Sequence, residues 1–314
     1  MTSTHDAVLL IAFGGPTVPE DIRPFLARVT KGMPIPPERL EEVAHHYEAV
    51  GGKSPLNEIT FRQANALRRL LHERDTRLPV YVGLRNSSPF FSETLAQMAS
   101  DGVKHALAFI LSSHRTEASW ERYQKNIADA RVELGDNAPA IDYCDGWHDH
   151  PQFIRCWVEL IEAASAKLAP EKKESMPLIF TAHSLPLAMA ARSPYVEQFD
   201  TSARMIAEKL NHHHWSLAYQ SRSGKPTEPW LQPDIGEAIR QLASQRQKQV
   251  IVAPIGFVCD HVEVLYDLDI EAKKIADNLN VRMIRASCPN DHPTFIQMMA
   301  DVIQARMKQV EDRR

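Results

Sequence analysis

Gln249-Val-Ile-Val-Ala-Pro-Ile-Gly-Phe-Val-Cys-Asp-His-Val-Glu-Val-Leu-Tyr-Asp-Leu-Asp-Ile-Glu271 passes from an unbroken apolar run, through a punctuated turn, to a helical pattern. Val250, Ile251 and Val252 are β-branched and consecutive, the pattern of a strand buried on both faces in a parallel sheet. Pro254 and Gly256 end that strand. Asp260 is suited to cap a helix that starts at His261, with Glu263 at N3 completing a capping box. In that helix Glu263, Asp267 and Glu271 recur every fourth residue, so three carboxylates share one face at steps of about 6 Å. In a straight α-helix the row would drift by about 40° per step, and a π-bulge would straighten it. Like charges at this spacing destabilise a helix. Two readings stay open: a path of oxygen ligands for a divalent cation, or a solvated acidic face near a helix N-terminus, where the dipole favours negative charge.

Met176-Pro-Leu-Ile-Phe-Thr-Ala-His-Ser-Leu-Pro186 reads as a second buried strand that stops at His183. The C-terminal end of a parallel strand is where open α/β sheets bind ligands. A histidine there also serves as a hydrogen-bonded corner residue. Paired with Glu263, which follows a similar strand end, it makes a metal site or a proton-transfer pair.

Outward from these stretches the chain alternates strand and helix. Strands are expected at 7–12, 80–84, 106–111, 138–143, 178–182, 215–219, 249–253 and 281–284. Helices are expected at 20–29, 38–49, 58–74, 91–100, 119–134, 151–168, 195–210, 233–243, 261–277 and 293–308. This rhythm calls for an α/β protein of two Rossmann-like domains, each a parallel sheet flanked by helices. The 314 residues suit two such domains, divided as 1–168 and 169–314, with the last helix packing back toward the first lobe. The charged segment 171–174 after Pro170 is the most linker-like. The segments 80–114 and 215–261 echo each other weakly, each with a strand, a proline-bearing loop, a helix, a strand and a histidine.

Hydrophobic content of 44% and charged content of 24% are those of a soluble enzyme. The net charge of −4 speaks against a nucleic-acid partner. No apolar run is long enough for a transmembrane helix, and residues 1–6 do not read as a signal peptide. A cytoplasmic monomer is the expectation. Cys144, Cys156, Cys259 and Cys288 are scattered, so neither disulfides nor a cysteine-bound metal cluster is expected. The glycine pairs at 14–15 and 51–52 lack the spacing of a nucleotide-binding loop. His212-His213-His214 reads better as a surface triplet than as a metal site, and Ser184 lacks the glycines of a nucleophile elbow.

Phe180-Thr-Ala-His-Ser-Leu-Pro186, Tyr219-Gln-Ser221, Pro229-Trp-Leu231 and Gly256-Phe-Val-Cys-Asp-His-Val-Glu-Val-Leu-Tyr-Asp267 together resemble the ferrochelatase family. The resemblance runs from Ala12-Phe-Gly-Gly-Pro16 and Tyr47-Glu-Ala-Val-Gly-Gly-Lys-Ser-Pro55 to the last helix. The compact form is similar to the coproporphyrin ferrochelatases. The resemblance implies a porphyrin cleft between two Rossmann-like domains and Fe²⁺ insertion in haem biosynthesis. It places His183 and Glu263 at the metal-insertion site and Asp267 and Glu271 at an outer cation site that could take Mg²⁺. Fe²⁺ is then a substrate, no cofactor is permanently bound and no Fe–S cluster is implied. Phe13, Thr30, His46, Tyr47, Ser54 and Tyr123 fall where similar proteins contact the tetrapyrrole. Lys31 and Arg85 add charges for propionates, and Trp230 joins Phe13 as a wall for the macrocycle.

The chain departs from that pattern in places. Similar coproporphyrin enzymes carry a tyrosine at Phe13 and tend to carry arginines at Thr30 and His46, and the usual Gly-Asp-Pro-Tyr is here Arg192-Ser-Pro-Tyr195. Coproporphyrin III is the expected substrate, with protoporphyrin IX as the alternative. A tetrapyrrole or metal carrier without turnover is the alternative of another class.

Overall fold

Uninterrupted apolar runs become strands covered on both faces. In the computed structural model, which describes residues 5–166, 176–223 and 227–312, β1 (Ala7–Ala12) is buried along its whole length. It is followed by α1 (Ile22–Val29), α2 (Pro37–Ala49), α3 (Leu56–Glu73), β2 (Val80–Leu84), α4 (Phe91–Ser100), β3 (His105–Ile110), α5 (Arg122–Leu134) and β4 (Ala140–Tyr143). The second series is α6 (Pro151–Ser165), β5 (Leu178–His183), α7 (Leu187–Ala190), α8 (Tyr195–Lys209), β6 (Trp215–Gln220), α9 (Ile235–Ser244), β7 (Gln249–Ala253), α10 (Val262–Tyr266), α11 (Lys273–Asn278) and β8 (Arg282–Arg285). The chain closes with α12 (Pro293–Glu311).

Among the described residues these strands form two four-stranded parallel sheets, ordered β2-β1-β3-β4 and β6-β5-β7-β8. The two orders are the same topology. The weak echo between the halves therefore has a structural counterpart. In each, an edge strand leads through a cis X–Pro bond, at Ser88–Pro89 and Gln232–Pro233, into a helix whose third residue reaches back to the N-cap amide, Glu93 accepting from Phe90 at 2.7 Å in α4 and Glu237 from Asp234 at 3.0 Å in α9.

The chain divides into two compact units. One comprises Met1–Ser112, Ala118–Gly146 and Asp291–Arg314, the other Ser113–Glu117 and Trp147–Asn290. The division expected at 168/169, and the linker-like 171–174, lie outside the described residues. Helix α6, expected in the first lobe, belongs to the second unit, because its apolar side packs on α8 and beside β7 and β8. Helix α12 packs on α3 in the first unit. The first sheet is covered on one face by a cluster that includes Leu9, Ile11, Leu95, Met98, Ala108 and Ile127. In the second unit Ile179, Ile239, Val250, Val252, Val264 and Leu268 form a comparable cluster. Each fully buried side chain of this kind contributes about 1.5–3 kcal/mol. No helix among the described residues is long and apolar enough to cross a membrane.

Candidate active site

In the order β6-β5-β7-β8 the chain leaves β5 in one direction and returns to its other side as β7. The crevice at the carboxyl ends of β5 and β7 is thus the topological switch point, the usual ligand position of such a sheet. His183 is the last residue of β5 and pairs with Gln220 of β6. The loop leaving β7 crosses tightly over the end of β5: the Gly256 amide donates to the Thr181 carbonyl at 3.0 Å. A Cβ on Gly256 would lie 2.6 Å from Ala182 Cα, so only glycine permits this approach. The crossing delivers α10 to the end of β5.

The helix is capped one residue later than expected. Asp260 is engaged elsewhere: its Oδ1 accepts from Arg285 Nη1 at 2.8 Å and its Oδ2 from Asn290 Nδ2 at 2.7 Å. His261 takes the cap instead, its Nδ1 accepting from the Glu263 amide at 3.1 Å. The Glu263 carboxylate is therefore not turned back into a capping box and faces His183.

His183 Nε2 and Glu263 Oε1 lie 3.7 Å apart. That is too long for a hydrogen bond, but two ligand atoms at this separation fit one cation at about 2.1 Å from each. The imidazole Nδ1 donates to the Ser184 carbonyl, which orients the ring so that Nε2 points toward Glu263. Tyr195 Oη donates to the His183 carbonyl at 2.9 Å, and Gln220 Nε2 to the Glu263 carbonyl at 2.8 Å. Gln220 is held in turn by the Thr181 hydroxyl at 2.9 Å. Burial opposes a charge on His183, yet the Glu263 carboxylate outweighs it and raises the imidazole's proton affinity. Burial likewise opposes the Glu263 anion, and His183 reverses the balance and lowers its pKa.

Beyond α10 the helix widens into a π turn, Asp267–Ala272, before α11. This is the device expected to keep Glu263, Asp267 and Glu271 in line. Burial, helped by the Glu263 and Glu271 carboxylates, pushes Asp267 up to about 7 even though the Ser221 hydroxyl donates to it. Ser221 adopts φ 62°, in the left-handed region, directly after β6. The quoted motif contained Gln220 and Ser221, but no periodicity marks them as supports for Glu263 and Asp267. The motif residue Trp230 is half-buried, and its segment bridges to Pro186 beside the His183 loop.

The remaining candidates lie in the first unit. Phe13 and Arg85 follow the carboxyl ends of β1 and β2. Phe13 packs edge-on against Phe25, which packs in the same way against the buried Tyr47. Ser54 is buried against the Phe13-Gly-Gly-Pro16 turn, its amide donating to the Pro16 carbonyl at 2.9 Å. Asn57, a residue no sequence pattern singled out, clamps the same turn by accepting from the Gly15 amide at 2.9 Å and donating to its carbonyl at 3.0 Å. Burial lowers the Arg85 pKa, and Tyr123 sits in the apolar cluster edge-on to Phe91. The Thr30 hydroxyl donates to the Leu26 carbonyl at 2.8 Å, at the end of α1. Lys31 is exposed, and burial lowers the pKa of His46 on α2. The first unit thus groups Phe13, Tyr47 and Ser54 around one turn, sets Arg85 after β2 and Tyr123 on α5, and leaves Thr30, Lys31 and His46 on the α1–α2 segment.

A family model described as Ferrochelatase matches residues 5–307. The chain belongs to the ferrochelatase family. It is 37% identical over 310 residues to a Ferrochelatase of Rhodopirellula baltica, covering 98% of this chain and 88% of that one. It is 42% identical over 301 residues to a Coproporphyrin III ferrochelatase of Mycobacterium leprae, covering 95% and 88%. To one of Mycolicibacterium smegmatis it is 39% identical over 314 residues, covering 99% and 92%. Among solved structures, the sirohydrochlorin chelatase SirB of Bacillus subtilis subspecies spizizenii in complex with cobalt aligns over 98% of this chain and 97% of its own, with a TM-score of 0.60 at 10% identity. That likeness concerns the fold. The family inserts ferrous iron into a porphyrin in haem synthesis, and the strand-end imidazole and carboxylate are suited to that chemistry.

Proposed function

We propose that this chain inserts Fe²⁺ into coproporphyrin III, with His183 and Glu263 at the point of insertion. The observation that carries the proposal is the pair itself. An Nε2 on a ring oriented by the Ser184 carbonyl faces a carboxylate oxygen at 3.7 Å, at the switch point of the second sheet. Metallation removes two pyrrole protons while a hydrated cation sheds its waters. Once His183 has released its own proton, Nε2 accepts a pyrrole proton or holds the cation, not both at once. Glu263 stabilises either charge on its partner. Asp267, pushed up to about 7, is poised to pass protons or water-bearing cations between Glu263 and the exposed Glu271. All-oxygen donors of this kind fit a hard cation that keeps some of its waters, so Asp267 and Glu271 would hold Mg²⁺ and relieve the repulsion among the three carboxylates.

The coproporphyrin choice rests on the names of several relatives and on Lys31 at the start of the short segment 31–37. Lys31, His46, Tyr47, Ser54, Arg85 and Tyr123 supply cations and donors for propionates, and Phe13 and Trp230 supply apolar walls. Phe13 in place of a ligating tyrosine, and Thr30 and His46 in place of arginines, favour protoporphyrin IX as the second reading. A cytoplasmic location, a monomeric state and the lack of a permanently bound cofactor belong to the same proposal. The deciding measurement is kcat/KM for Fe²⁺ insertion into both porphyrins at fixed salt. Higher kcat/KM for coproporphyrin III, selectively lowered by Lys31→Ala, is expected. A preference for protoporphyrin IX would overturn the substrate while leaving the insertion chemistry in place.

A further inference from the structure

At the opposite, amino-terminal ends of the first unit's strands lies a second set of metal-competent side chains. We propose that His5, His105 and Asp142 form a binding site for a divalent cation of borderline softness, of which Zn²⁺ is the type. His5 Nε2 and His105 Nε2 approach the same carboxylate oxygen, Asp142 Oδ2, at 3.2 and 3.1 Å. The three candidate ligand atoms lie within 4.8 Å of one another, with the two rings 4.5 Å apart between centroids. Tetrahedral zinc with bonds of 2.0–2.1 Å sets its ligand atoms about 3.3 Å apart, so both nitrogen–oxygen edges already have the length that coordination demands.

The backbone beneath the cluster is fixed. The Asp6 carboxylate accepts from the Lys104 and His105 amides at 2.8 and 3.0 Å, and the Asp6 amide donates to the His105 carbonyl at 2.7 Å. The Ala140 amide donates to the Lys104 carbonyl at 2.8 Å and ties β4 into the same frame. The His5 side chain is fully buried, while those of His105 and Asp142 are 25% and 39% exposed. The protein therefore supplies a rigid inner wall, and the open side admits an ion and a completing water. Two imidazoles and one carboxylate select against hard cations such as Mg²⁺. Substrates of open α/β sheets bind at the carboxyl ends of the strands. An ion at the amino ends instead clamps the start of β3 and the body of β4 to the segment that leads into β1, which is a stabilising role.

The test uses the untagged full chain carrying His183→Ala and Glu263→Ala, which removes the insertion pair as a competing site. Stripped of metal, this protein is titrated with ZnCl₂ by calorimetry, with and without millimolar Mg²⁺. Expected is one Zn²⁺ per chain at micromolar or lower Kd, insensitive to Mg²⁺, with a raised Tm. Adding His105→Ala, or the shape-preserving Asp142→Asn, weakens that binding by at least about tenfold. Absence of Zn²⁺ binding in the parent variant, as for a plain hydrogen-bonded triad, would overturn the site. So would Zn²⁺ binding that Asp142→Asn leaves unchanged.

Discussion

Glu263 shows how a single side chain acquires a role from what its neighbours do. Because Asp260 is spent on Arg285 and Asn290, His261 caps the helix and Glu263 is released toward His183. Glu263→Gln keeps the shape and removes the charge. We expect kcat for metallation to fall by about 10²–10⁴-fold, with porphyrin affinity, read by fluorescence quenching, changed by less than about twofold. Lost affinity at an unchanged rate would make Glu263 a packing residue. His114 has a different fate from His261, although both end an echoing strand-to-histidine segment in the sequence. It is buried, with its Nε2 3.1 Å from the Ser202 hydroxyl, and burial, with a lesser push from His148, lowers its pKa to about 3. The unfolded chain carries this histidine near 6.5. Between those values the unfolded state binds a proton that the folded state refuses, so stability falls as pH drops below 6.5, by up to about 1.4 kcal/mol per unit. Denaturant unfolding between pH 6.5 and 4 should show a shallower decline in His114→Gln than in the parent chain. Equal slopes would exclude His114 as the cause.

At the scale of elements, two features around β7 govern the site. The first is the glycine crossing. Gly256→Ala forces a Cβ into the Ala182 backbone, and we expect a loss of about 1–3 kcal/mol in urea unfolding together with a lower kcat, because the end of β5 carries His183. Unchanged stability would mean that the crossing relaxes freely. The second is the π turn Asp267–Ala272, the device expected to keep the three carboxylates in line. Co²⁺ soaked into crystals should appear beside Asp267 and Glu271 and be lost in Glu271→Gln. No density at saturating Co²⁺ would leave only a solvated acidic face. The elements were legible wherever periodicity was strong: β1, β2, β7 and α4 lie where the apolar runs and caps put them. Caps chosen by tertiary partners were not legible, as Asp260 and His261 demonstrate. Nor was the short α7, which has too few residues to display a period. Supports such as Tyr195, Gln220 and Asn57 act through distant backbone groups, and sequence spacing carries no record of those pairings.

Over the whole molecule, one topology occurs twice among the described residues, and the His183–Glu263 pair lies in the second copy. Ala12 closes β1 as His183 closes β5, so the first unit repeats the strand order without the imidazole at the corresponding strand end. On the proposed function the division of labour would be that the second unit supplies His183 and Glu263 for insertion, with Phe13, Ser54, Arg85 and their neighbours in the first unit as candidate porphyrin contacts. Family membership was legible because its motifs are long and ordered, whereas the split between units was not, since α6 reads as an ordinary amphipathic helix until its packing partners are known. The central claim is that His183 performs metal insertion rather than packing. It is tested by following the absorbance change on adding Fe²⁺ to coproporphyrin III anaerobically, with the parent chain and with His183→Ala at matched folded concentration. Turnover by the parent and none above background by His183→Ala, with an unchanged Tm, is the predicted result; near-normal turnover by His183→Ala would contradict it.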